Sequence, residues 1–242
     1  MTDVVIKVDR LCVRYGANEV LNGVSFEVER GSVYALLGRN GAGKSSLMRC
    51  LLGLQKPWSG NVQLFSEDVW GHRARLLDRT GYVPETMDAP PHLRVGDVEA
   101  FHGAMYSKWN GSMVKTRLDR ARISRSANLS TLSKGQRALF SLALALGSQP
   151  ELLVLDDPTL GLDVVARNEF FADFIGDLAD RNTTVVLTTH DLAGVEGIAD
   201  HVGILRGTQL VVNDETEKLK VERGGSLEQI FTEATHGGEL GL

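Results

Sequence analysis

Two cysteines in 242 residues are too few and too isolated for a disulfide framework or a zinc site, because Cys12 and Cys50 stand alone without C-x-x-C spacing. No run approaches the ~20 apolar residues needed to span a bilayer, so work at a membrane would require another chain to supply the membrane part. The opening MTDVVIKVDR carries charges at Asp3, Lys7, Asp9 and Arg10, which interrupt any apolar core of a secretion signal. A basic surplus is missing as well. The formal net charge is −5, which argues against a general nucleic-acid binder, although local basic patches remain open. These absences fit a reducing cytoplasm and no nucleic-acid partner. What is present is ordinary for a soluble globular protein: 43% hydrophobic and 24% charged residues, at a length that suits one large α/β domain or a core with an inserted lobe.

Along the chain, VVIKVDRLCVRYG and VLNGVSFEVERG alternate apolar and polar positions, which predicts short antiparallel strands with Gly16, Gly23 and Gly31 at turns. SVYALLG reads as a buried strand that runs into RNGAGKSSLMRCLLGL, a glycine-rich loop followed by a helix. NVQLF and TGYVP read as further strands, whereas residues 86–148 contain no convincing strand and are expected to form an inserted helical lobe. ELLVL and TTVVLTT return to strand character around an amphipathic helix, and such alternation implies a mainly parallel sheet with crossover helices. The expected organisation is one domain. Residues 1–85 and 149–222 form an α/β core with an antiparallel β-lobe, 86–148 the helical lobe, and 223–242 a tail with a single helix, SLEQIFTEAT.

The strongest chemical signal is GRNGAGKS, Gly38 to Ser45, a complete G-x-x-x-x-G-K-[ST] between a strand and a helix. Glycines let successive backbone N–H groups curl around phosphate oxygens, and the helix N-terminus adds a favourable dipole. Lys44 reaches the outer phosphates and the Ser45 hydroxyl suits Mg²⁺. The nucleotide-binding set is therefore Gly38, Arg39, Asn40, Gly41, Ala42, Gly43, Lys44, Ser45 and Ser46. Such a loop needs a second strand ending in an acid. LLVLDDP supplies two, Asp156 for the metal and Asp157 to polarise an attacking water, unless the pair simply marks a strand meeting solvent before Pro158.

The order of this loop, GYVPE, LSKGQ, LLVLDDP, GLD and TTH resembles the ATPase subunit of an ABC transporter, over essentially the whole chain. The resemblance implies a P-loop NTPase fold, ATP and Mg²⁺, a second ABC ATPase subunit, and a separate membrane permease. It also implies a place on the cytoplasmic face of the membrane. LSKGQ (Leu132, Ser133, Lys134, Gly135 and Gln136) matches the signature motif that acts on the partner's ATP, while Ser133 also reads as an ordinary helix N-cap. The resemblance gives Tyr15 as the ring that stacks on adenine, His190 as the switch residue at the γ-phosphate, and Asp163 as the dimer-contact loop. AFHGAMYSKWN and the LSKGQ variant are similar to bacterial exporter-type cassettes.

Two departures from the family pattern bear on catalysis. Asp157 stands where a glutamate is usual, one methylene shorter. Glu85 stands where a glutamine is usual and adds a negative charge near the expected metal. It is open whether Glu85 binds the metal, repels the phosphate, or compensates for Asp157 by holding water. Two other readings stand beside the transporter ATPase: a soluble ABC protein acting on ribosomes or DNA, and a regulatory nucleotide switch with weak hydrolysis.

Overall fold

The computed structural model describes residues 3–181 and 183–236. The chain begins with β1 (Val4–Tyr15), β2 (Asn18–Glu29), β3 (Val33–Gly38), α1 (Lys44–Leu51), β4 (Ser59–Leu64), β5 (Glu67–Asp68) and α2 (Val69–Leu77). Then come β6 (Thr80–Val83), α3 (Val95–Met105), α4 (Gly111–Arg120), α5 (Lys134–Gly147), β7 (Leu152–Asp156) and α6 (Val164–Arg181). It closes with β8 (Thr184–Thr189), α7 (Leu192–Glu196), β9 (His201–Arg206), β10 (Gln209–Glu215), α8 (Thr216–Arg223) and α9 (Leu227–His236). Two compact units result, residues 1–76 with 184–242, and residues 77–183.

In the first unit, β2, β1, β4 and β5 form an antiparallel sheet in that order. The alternating strands bury one face, with Val8 opposite both Phe26 and Val62. Gly16 and Gly31 lie at turns as expected, but Gly23 does not. The β1–β2 register passes from Leu11–Val24 to Val13–Leu21, so Asn22 and Gly23 form a bulge inside β2, where φ of 68° suits glycine.

The same unit holds β3, every residue of which is buried, in parallel pairing with β8 on one side and β9 on the other. A strand covered on both faces reads as a continuous apolar run, which is what VYALLG is. Fully buried Tyr34 stacks on Phe26 with ring centroids 4.8 Å apart and donates its hydroxyl to Asn213 at 2.7 Å. β10 returns antiparallel on β9. SLEQIFTEAT is helical in α9, and the glycine-rich end beyond it lies outside the described residues.

In the second unit, β6 and β7 pair in parallel from Thr80–Leu152 to Val83–Leu155. A two-pronged ion pair between Arg79 and Glu151 (2.7 and 2.9 Å) fixes the entry to both strands. Between them, α3, α4 and α5 bury Val95, Val98, Val114, Leu118, Phe140 and Leu144 in one core. Glu99 is buried beside that core and takes an ion pair from Arg125 at 2.8 Å; burial raises its pKa and the Arg125 charge partly opposes the shift. No helix of the described residues is long and apolar enough to cross a membrane.

Candidate active site

The glycine-rich loop leaves the sheet at Gly38 and ends in α1. Gly43 adopts φ of 95°, and a Cβ there would stand 2.7 Å from a Leu21 methyl, so conformation and space both demand glycine. No side chain caps α1, whose first N–H groups are those a helix leaves without intrahelical partners. Lys44 is only 8% exposed, and its ammonium donates to the Gly38 carbonyl at 2.7 Å and to that of Arg39 at 3.4 Å. The cation is thus folded back into the concavity it helps to form. Arg39, Asn40 and Gly41 form the exposed rim, Ala42 and Ser46 are buried, and Ser45 is half-buried on the first turn.

Tyr15 ends β1 with 47% of its surface exposed. Its hydroxyl lies 3.2 Å from Ser46 Oγ on α1 and donates to Gln55 Oε1 at 2.5 Å. Hydrogen bonding to Ser46 holds the phenol below its ordinary pKa, with smaller help from Arg49 and Gln55 against the effect of burial. The ring is therefore tethered by its polar tip beside the phosphate loop while its face meets solvent. Gln55 has no motif of its own in the sequence. His190 is exposed immediately after β8. Because Leu37 on β3 pairs with Thr189 on β8, the phosphate loop and His190 leave the sheet at the same edge.

In the second unit, Asp156 ends β7 and both it and Asp157 are 6% exposed. Asp157 has φ of 46°, a left-handed conformation that aspartate tolerates better than most side chains. Glu85 follows β6 by two residues and is exposed at the corresponding end of the sheet. At the start of α5, Ser133 and Gln136 form a reciprocal capping box: Gln136 N donates to Ser133 Oγ at 3.1 Å, and Ser133 N donates to Gln136 Oε1 at 3.2 Å. Ser133 thus does cap the helix, and as an acceptor there it keeps its own proton to donate to an anion. Leu132 is buried in the helical core, and a Cβ on Gly135 would come 2.8 Å from the Ala166 Cβ. Asp163 accepts from Ala166 N at 2.8 Å, capping α6.

Three further features of this unit come from the fold and not from the motifs alone. A cleft of about 790 Å³ beside Ser133 and Gln136 is lined by Arg117, Arg120 and Arg122. Leu160, Val164 and Val165 are exposed around Asp163. A smaller cavity of about 260 Å³ brings Glu85 together with Lys134, Arg137 and the 158–162 loop. Cys12 and Cys50 are free thiols, and burial pushes Cys50 up to about 11, which disfavours its thiolate.

Among the described residues, no group of three or more histidine, cysteine, aspartate or glutamate side chains is placed to hold a metal. The oxygens of Ser45 and Asp156 are hard donors of the type Mg²⁺ accepts, and Mg²⁺ is normally completed by phosphate oxygens and water rather than by a protein cage.

A sequence model of the ABC transporter family matches residues 21–160. The Nod factor export ATP-binding protein I of Ralstonia nicotianae is 31% identical over 233 residues, covering 94% of this chain and 72% of that protein. The daunorubicin resistance ATP-binding protein DrrA3 of Streptomyces coeruleorubidus is 32% identical over 248 residues, covering 100% of this chain and 77% of that protein. A solved structure of the ATP-binding subunit of an ABC transporter superposes with a TM-score of 0.84 at 26% identity, over 95% of this chain and 99% of that one. With most of its length matched in this way, the chain belongs to the ABC transporter family, as an ATP-binding subunit that hydrolyses ATP.

Proposed function

We propose that the chain is one domain that hydrolyses Mg-ATP in a head-to-tail dimer and powers a separate, export-type membrane permease from the cytoplasmic face. The observation that carries this reading is the phosphate loop, where buried Lys44 curls back on Gly38 at the uncapped start of α1. Lys44 and the loop N–H groups bind the phosphates, and Tyr15 carries the adenine. Bound Mg²⁺ supplies charge neutralisation at the phosphates, with Ser45 and Asp156 as its protein oxygens. Asp157 accepts a proton from the attacking water, Glu85 helps to orient that water, and His190 donates to the γ-phosphate.

The second unit offers the partner's nucleotide the Ser133 hydroxyl, the first N–H groups of α5 and the three arginines of the large cleft. Exposed Leu160, Val164 and Val165 around Asp163 give the dimer contact an apolar patch. Export is supported by the two relatives, a Nod factor export protein and a daunorubicin resistance protein. The helical lobe and the loop carrying Glu85 form the permease contact. The reading of a soluble, non-transport ABC protein gains no observation here.

Sedimentation of the Asp157→Asn variant tests the dimer. The protein should be monomeric without nucleotide and dimeric with Mg-ATP. The same monomer under both conditions would refute a homodimer and point to a different partner cassette.

A further inference from the structure

Tyr15 is the last residue of β1 and is only partly covered, so packing constrains its ring on one side alone. The hydroxyl supplies the rest of the hold. A phenol has one proton, and Gln55 Oε1 can only accept, so that proton goes to Gln55 at 2.5 Å. Ser46 Oγ, 3.2 Å from the same phenol oxygen, is then the donor in its own contact. Gln55 is itself strapped in place by backbone bonds. Leu54 N and Gln55 N both donate to the Arg49 carbonyl, at 2.8 and 3.2 Å, which closes the end of α1. Trp58 N donates at 2.8 Å to the carbonyl of Cys12, on the strand that ends in Tyr15. The 54–58 loop is therefore tied both to the helix that begins with Lys44 and to the strand that carries the ring.

We infer that Gln55 is a positioning residue for nucleotide binding: it holds Tyr15 by the hydroxyl in the orientation that receives the base, and acts through that ring. This rests on the reading of Tyr15 as the adenine-stacking residue. Fixing a partly exposed side chain before ATP arrives removes rotamer freedom that binding would otherwise have to freeze, so the bond is expressed as affinity. A glutamine suits the task, because its amide oxygen accepts the phenol proton without adding a negative charge beside the phosphate loop.

Calorimetric titration of the full chain with a non-hydrolysable ATP analogue tests this, in a double-mutant cycle of Gln55→Ala and Tyr15→Phe with Tyr15→Ala alongside. Gln55→Ala should bind about two- to tenfold more weakly, the scale of one hydrogen bond. Tyr15→Phe should lose at least as much, because it gives up the Ser46 contact as well. The double variant should lie within about twofold of Tyr15→Phe, since a ring without a hydroxyl leaves Gln55 nothing to hold. Wild-type or tighter binding by Gln55→Ala would overturn the positioning role. So would a Gln55→Ala loss that persists in full on the Tyr15→Phe background, which would mark a general loosening of the loop. Wild-type affinity in Tyr15→Ala would instead overturn the stacking reading, and the positioning role with it.

Discussion

Glu85 and Asp157 stand two residues beyond one register pair, Val83 on β6 and Leu155 on β7, at the same end of two parallel strands. The two acids therefore leave the same end of two adjacent, paired strands. If Glu85 orients the water that the short Asp157 reaches poorly, their effects should couple. Asp157→Asn should lower turnover by up to about 100-fold, the cost of misplacing or losing a group at a reacting water. Asp157→Glu should raise turnover. Glu85→Gln alone should lower it, and combining it with Asp157→Glu should recover more than the sum of the single effects. Steady-state kcat at saturating Mg-ATP for the four proteins measures the coupling. Additivity would make the two residues independent.

The left-handed backbone at Asp157 adds a stability cost to that exchange. Glutamate lacks aspartate's short side chain, which can bond locally in this conformation, so Asp157→Glu should lower the unfolding midpoint by the equivalent of ~1 kcal/mol. Asp157→Asn should not. Thermal melts of both variants without nucleotide separate this backbone effect from catalysis.

At the adenine side, Tyr15→Ala should weaken ATP binding about 5- to 100-fold, the scale of one base–aromatic stack. Tyr15→Phe keeps the ring and loses the bonds to Ser46 and Gln55, so its loss should be smaller. Calorimetric titration with a non-hydrolysable ATP analogue ranks the two. Equal affinity for wild type and Tyr15→Ala would remove Tyr15 from the site.

Why some of this was legible in sequence and some not follows from the range of the interactions. The phosphate loop, β3 and α5 are local: a contiguous apolar run, glycines at required conformations and a capping box all lie within a few residues. The fully buried stretch LLVLD announced β7 and the unusual pair of acids at its end. Gln55 was invisible, because its role depends on a fold that brings it to Tyr15, forty residues away. The arginines at 117, 120 and 122 look like a solvated basic run until the fold sets them beside Ser133 and Gln136. The β9–β10 hairpin is marked only by the short link between HVGILR and QLVVNDE, a weak signal without a strong turn pair. Gly23 illustrates the reverse case: its need for positive φ was readable, but a bulge inside a strand and a turn between strands make the same demand.

Glu99 makes a prediction about pH. Burial raises its pKa in the folded protein, so the folded state holds the proton more tightly than the unfolded state does. Stability from this group is therefore present below the ordinary glutamate value and is lost as pH rises through the raised one. Glu99→Gln mimics the protonated form, so its unfolding midpoint relative to wild type should improve from pH 4 to pH 7. A difference that stays flat would mean that Arg125 fully compensates the buried charge.

The most direct test of the hydrolytic site is a single-turnover assay with Mg-ATP, comparing the wild-type chain with Lys44→Ala. Lys44 is the buried cation of the phosphate loop, and charge-assisted hydrogen bonds of this kind are worth at least about tenfold in an equilibrium or a rate. Wild type should convert bound ATP to ADP and phosphate, and Lys44→Ala should bind ATP at least about tenfold more weakly or fail to hydrolyse it. Equal affinity and equal single-turnover rates in the two proteins would contradict the assignment.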